Sequence, residues 1–136
     1  IRIPRITLTE GGMNVKHSYL KPCRFEIYKA ALPKIGGSVC CGFRPVLVVQ
    51  NEKGNSNSDT VIVAAITGKQ KPWLPTHVEI GRGEGLDRVS TVMCEQIRTL
   101  PDYMLVKKIG AVSDSDKVRD INYALARSLG LTLNGW

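Results

Sequence analysis

The chain has 136 residues, a mass of 15.0 kDa and 43% hydrophobic residues, enough for one domain around one core. Nineteen Lys and Arg against twelve Asp and Glu give a formal charge of +7 and a pI near 9.4, which favours a polyanionic partner, nucleic acid first. No apolar run approaches the roughly twenty residues that span a bilayer, and residues 1–12 lack the apolar stretch and cleavage pattern of a secretory signal, so no membrane association is expected.

Residues 1–22 read as an N-terminal extension ahead of the fold, with the main domain over 23–136. From Arg24 the pattern becomes strand-rich. Phe25 to Ala30 mixes alternation with β-forming residues and is expected as a first strand. Gly36-Gly37-Ser38-Val39-Cys40-Cys41-Gly42 is a small-residue loop that delivers Arg44 to the edge of a continuous apolar run, Pro45 to Gln50, which must be a buried strand. Asn51 to Asp59 is polar and rich in Gly, Asn and Ser, so a loop is expected. Thr60 to Ile66 is a second buried strand of β-branched character, ended by Thr67-Gly68. Leu74 to Ile80 alternates behind a Lys-rich loop, Thr91 to Ile97 is another strand, and Leu105 to Val112 a short one. A helix closes the chain: Ser113 can cap it with Asp116 as capping-box partner, Val118, Ile121, Leu125 and Leu129 share a face, and Gly130 is a natural stop. Six short strands and one terminal helix suggest a small, curled antiparallel barrel whose edges are hidden by closure.

Four cysteines, Cys23, Cys40, Cys41 and Cys94, show neither a C-x-x-C spacing nor a zinc pattern with His17 or His77. They read as reduced thiols of a cytoplasmic protein, and neither a metal nor another cofactor is expected.

RNA can be cut without a metal when its own 2′-OH attacks the neighbouring phosphate. A protein then helps to remove that proton, to stabilise charge on the phosphate oxygens and to release the 5′-oxygen. Arg suits the second task through its permanent charge and forked geometry. Arg44 precedes one buried strand and Thr67 follows the next, so the two meet at one end of a barrel if those strands are antiparallel neighbours. Taken alone, each has a more ordinary reading: a surface ion pair for Arg44, and a strand-end hydroxyl bonding its own turn for Thr67. Glu95-Gln96-Ile97-Arg98-Thr99 is a polar stretch that reads either as a solvated edge or as hydrogen-bonding groups for the bases of an unstacked strand.

Gly-Phe-Arg-Pro-Val-Leu-Val-Val-Gln-Asn, Val-Ile-Val-Ala-Ala-Ile-Thr, Leu-Pro-Thr-His-Val-Glu-Ile and Glu-Gln-Ile-Arg-Thr occur in this order. Together they resemble the MazF/PemK family of toxin endoribonucleases, over about Arg24 to Leu131. The resemblance implies an SH3-like β-barrel of the MazF/CcdB/Kid type that forms a homodimer. It also implies metal-independent, sequence-specific cleavage of single-stranded RNA to a 2′,3′-cyclic phosphate and a 5′-hydroxyl, and a MazE-like antitoxin with an acidic tail as partner. It makes Arg44 and Thr67 catalytic and places Ser38, Asn55, Leu74, Glu95 and Gln96 at RNA contacts. The loop departs from the pattern, because relatives commonly carry an acid where this chain has Val39 and a glutamine where it has Cys40. A non-catalytic barrel that binds antitoxin, RNA or another target such as gyrase is the alternative.

Overall fold

The computed structural model describes residues 21–132. Most of the expected N-terminal extension, with His17, lies outside the described residues. Lys21, at the end of that extension, donates from Nζ to Ser58 O at 2.9 Å and pairs with the buried Asp102 at 3.3 Å. Six strands form one antiparallel sheet: β1 (Glu26–Leu32), β2 (Gly42–Val48), β3 (Thr60–Thr67), β4 (His77–Ile80), β5 (Ser90–Pro101) and β6 (Leu105–Ala111), in the order β4-β5-β3-β2-β1-β6. Among the described residues two α-helices, α1 (Glu52–Asn57) and α2 (Ser115–Leu129), and two short 3-10 turns at Arg82–Glu84 and Asp102–Met104 complete it.

The buried runs behave as their composition requires. Side chains of β2 and β3 alternate between two apolar clusters on opposite faces of the sheet. One cluster holds Leu47, Ala64 and Ile66 and is covered by Ile121, Ala124 and Leu125 of α2. The other holds Val46, Val48, Val63 and Ala65 with Met93 and Leu100, and Cys40 packs against it. Both faces are covered, so neither strand shows polar alternation. Cys94 is fully buried in the first cluster, and that burial, with Glu95 alongside, pushes its thiol up to about 12.

Several local elements differ from expectation, and β2 itself runs from Gly42 to Val48 rather than from Pro45 to Gln50. The 51–59 segment is not an open loop: α1 forms because the Asn51 side chain accepts from Gly54 N at 2.8 Å, the local bond that makes Asn a good helix cap. The 74–80 strand begins only at His77, because Leu74 O accepts from His77 N in a turn. Helix α2 is capped by Asp114 rather than Ser113, with Asp116 N donating to its carboxylate at 2.9 Å, and Leu129 stands exposed on its last turn. Gly130 ends that helix in the left-handed conformation, as its position suggested.

Closure differs as well. The sheet is curled but open, with β4 and β6 as its two edges. Backbone packing does the work that strand pairing would do in a closed barrel. The turn after β4 brings Glu84 and Gly85 against Ile109 and Gly110 of β6 so closely that a Cβ on Gly110 would overlap the Glu84 carbonyl. At the β4 edge Lys117 of α2 donates to Glu79 O at 2.6 Å, and Arg127 of α2 donates to Pro75 O at 3.3 Å in the turn before the strand.

Candidate active site

Strands β2 and β3 are antiparallel neighbours, with Val46 opposite Ala65, Leu47 opposite Ala64 and Val48 opposite Val63. Continuing that register two residues outward sets Arg44 opposite Thr67. The hydrogen-bonded ladder stops at Val46, and the next residue, Pro45, has no N–H to continue it. The two strand ends therefore face each other without the ladder hydrogen bonds that join the strands further in. Both side chains belong to the face that carries Val46 and Ala65.

Arg44 is partly buried, and its Nε donates to Cys41 O at 2.9 Å. Among the described residues its two terminal nitrogens have no acceptor, so the forked end that matches phosphate oxygens is available. Thr67 is 6% exposed, and its hydroxyl oxygen accepts from Lys69 N at 3.2 Å. That bond is the one the turn reading of Thr67 requires, yet it leaves the hydroxyl proton free to be donated elsewhere.

The loop between β1 and β2 is fixed from β5. Gln96 accepts from Cys40 N at 3.3 Å and donates to Ser38 O at 3.2 Å. One terminal nitrogen of Arg98 reaches both ends of the loop, Pro33 O at 2.7 Å and Cys40 O at 3.1 Å. This clamp was not legible in the sequence, because main-chain carbonyls leave no residue pattern. Gln96 is thus engaged by the loop on both sides of its amide.

Beside the clamp lies a cleft of about 280 Å³ that gathers Ser38, Leu74, Glu95 and Gln96 with Cys40, Lys71 and His77. Four of the five expected RNA-contact residues meet there. Asn55 does not: it is 2% exposed on α1, with its amide nitrogen donating to Gln50 O and Glu52 and its oxygen accepting from Gln50. Its hydrogen-bonding capacity is used inside the fold.

Glu95 accepts from Thr76 Oγ1 at 2.9 Å and bonds His77 Nε2 at 3.0 Å. Partial burial works to raise its carboxyl, but the His77 bond, its own N–H and the Thr76 hydroxyl outweigh that and hold it below the ordinary carboxylate range. It is therefore an ionised acceptor at neutral pH, suited to an amino group on a base edge. Val39 is 37% exposed at the loop and offers no acid there, leaving Glu95 as the carboxylate of the cleft. Among the described residues no cluster of His, Cys, Asp and Glu has the arrangement of a metal site, and no helix is long and apolar enough to cross a membrane.

Comparison with known proteins joins this geometry to a family. The model for "PemK-like, MazF-like toxin of type II toxin-antitoxin system" matches residues 23–129. An endoribonuclease MazF from Staphylococcus saprophyticus is 46% identical over 110 residues, covering 79% of this chain and 91% of that protein. Among solved structures, the Mycobacterium tuberculosis toxin MazF-mt6 superposes with a TM-score of 0.68 at 27% identity, covering 79% of this chain and 99% of that one. A mycobacterial endoribonuclease in complex with its cognate antitoxin gives 0.68 at 29% identity, covering 82% and 98%.

Proposed function

Because this chain belongs to the family of PemK-like, MazF-like toxins of type II toxin-antitoxin systems, we propose that it is an endoribonuclease that cuts single-stranded RNA at Arg44 and Thr67. The observation that carries the reading is the register of β2 against β3, which sets a guanidinium fork opposite a hydroxyl with a proton to give, on one face of two adjoining strand ends.

A phosphate placed between the two side chains meets Arg44 on its non-bridging oxygens, where negative charge grows as the RNA 2′-oxygen attacks. Donors held in place before the reaction stabilise that charge without reorganising. Cys41 O supplies the fixation by holding the Nε edge of Arg44. Thr67 donates to the same phosphate. As the O2′–P bond forms the P–O5′ bond breaks, the 2′-OH proton passes to water and the departing 5′-oxygen takes a proton from water. The products are therefore a 2′,3′-cyclic phosphate and a 5′-hydroxyl. Ser38, Leu74 and Glu95 line the path of the neighbouring bases, with the Glu95 carboxylate reading an amino group. Gln96 acts through the loop it holds. The partners that fit are messenger RNA and an acidic MazE-like antitoxin met in the cytoplasm, with a second copy of the chain completing the groove.

The missing acid at Val39 favours a second reading, a barrel of the same fold that binds RNA or antitoxin without cutting. The two separate on one experiment: a long single-stranded RNA is incubated with the purified protein and a chelator. Discrete fragments ending in cyclic phosphate are expected. Arg44→Ala, folded by circular dichroism, should cut at least about 100-fold more slowly. Intact RNA with the wild-type protein would establish the binder, and undiminished cutting by Arg44→Ala would remove the arginine from the mechanism.

A further inference from the structure

The rim that carries Arg44 and Thr67 has a second side. Their chain neighbours Pro45 and Gly68 turn the other way and line a separate pocket of about 500 Å³. Three cations converge there, Lys29, Arg88 and Lys107, beside the ring of Phe43, which is 62% exposed. The ladder requires the meeting of the lysines: Lys29 stands opposite Pro45 on β2 and opposite Lys107 on β6, so the two ammonium groups share one face of adjoining strands.

That arrangement is unfavourable on its own. Like charges directly opposite in a sheet repel, and among the described residues no ion pair neutralises any of the three. Lys29 lies over the Phe43 ring at 5.8 Å, and Asp87 is the one acid in the lining. Arg88 is placed by an absence of side chain. A Cβ on Gly68 would stand 2.6 Å from its Nε, so the guanidinium rests against the main chain that directly follows Thr67.

We propose that this pocket is a subsite for the RNA strand, holding a phosphate beyond the one at Arg44 and a flanking base against Phe43. The inference rests on the endoribonuclease reading and extends it. Its volume suits a nucleotide-sized ligand. Its cations match a phosphate, and an exposed aromatic ring beside them gives a base a stacking surface, the usual pairing on single-strand binders. Continuity decides for RNA over an acidic peptide. Residues 44–45 and 67–68 carry both sites on the two faces of one rim, so a strand anchored at Arg44 passes over that rim into the pocket.

The test uses the full chain and a fluorescent single-stranded RNA spanning a mapped cut, with a 2′-deoxy nucleotide at the cut so that it binds without reacting. Arg88→Ala/Lys107→Ala, both solvent-facing changes, should weaken binding about tenfold. It should also lower the slope of log affinity against log salt by about 0.7 for each phosphate that is no longer neutralised. Unchanged affinity and slope would overturn the proposal. So would a variant that keeps RNA binding but no longer holds a poly-glutamate peptide, which would make the pocket a peptide site. Failure of the wild-type protein to cut the all-ribose RNA would instead sink the parent reading, and is measured separately.

Discussion

The Nε of Arg44 is bonded to the carbonyl oxygen of Cys41 at 2.9 Å, so the arginine is aimed by the backbone of its own loop. The loop in turn is held from β5 by Gln96 and Arg98. A guanidinium on one strand thus depends on a guanidinium two strands away.

Arg98→Ala removes both bonds to Pro33 O and Cys40 O without deleting any side chain of the cleft. The expected result is a fall in kcat of about tenfold, since misplacement of a catalytic group by about 1 Å is enough for losses of that order or larger. Arg98→Lys should recover part of it. Hydrogen exchange separates positioning from general destabilisation: the Cys40 amide should exchange faster in Arg98→Ala while amides of β3 keep wild-type protection. Equal loosening across the sheet would mean that Arg98 merely stabilises the fold.

Glu26 ties β1 to β6. Its carboxylate pairs with Lys108 at 2.6 Å and accepts from Cys23 N at 2.6 Å and Tyr28 Oη at 3.0 Å. Partial burial works to raise its carboxyl, but Lys108, the Cys23 N–H and the Tyr28 hydroxyl outweigh that and leave it lowered. A value lower in the folded than in the unfolded chain stabilises the fold above the unfolded value, about 4.3 for Glu, and the benefit is lost as pH falls through the folded one. Glu26→Gln should therefore lower Tm at pH 7, and the gap to wild type should narrow below about pH 4.3. A gap that stays constant down to about pH 3, below the unfolded value, would refute the assignment.

Gly110→Ala should destabilise the protein by about 1–3 kcal/mol, the usual cost of forcing extra volume into a packed contact. The added methyl meets the Glu84 carbonyl, which cannot withdraw without opening the contact between the turn and β6. Urea unfolding measures it. Gly83→Ala, with nothing near its Cβ position, is the control that should change stability far less.

What could be seen in the sequence was whatever one segment dictates by itself. Pro45 to Gln50 and Thr60 to Ile66 declare buried strands because their runs are almost wholly apolar, and the antiparallel register of those strands sets Arg44 and Thr67 at facing strand ends. Helix α1 was hidden because its stability comes from Asn51 and Asn55 side chains bonding nearby groups, not from an apolar stripe. Arg98 and the Glu95–His77 pair were hidden for a different reason: their partners are a distant loop backbone and a neighbouring strand. The strand β5 also runs on to Pro101, past the expected end at Ile97, because β3 continues to pair with it as far as Thr60.

The open sheet has a consequence for behaviour at high concentration. An uncovered strand edge is a template on which another chain can add itself, and this protein guards its two edges by unlike means. At β4 the Lys117 side chain already occupies the Glu79 carbonyl, and Arg127 that of Pro75 just before the strand, so an incoming strand would have to displace a helix. At β6 the turn at Glu84 and Gly85 covers Ile109 and Gly110, and the rest of the edge is guarded by the charge of the exposed Lys107, next to the Glu26-paired Lys108. Resistance to aggregation should therefore fail first at β6, in high salt, where screening removes the repulsion that a helix would have made unnecessary.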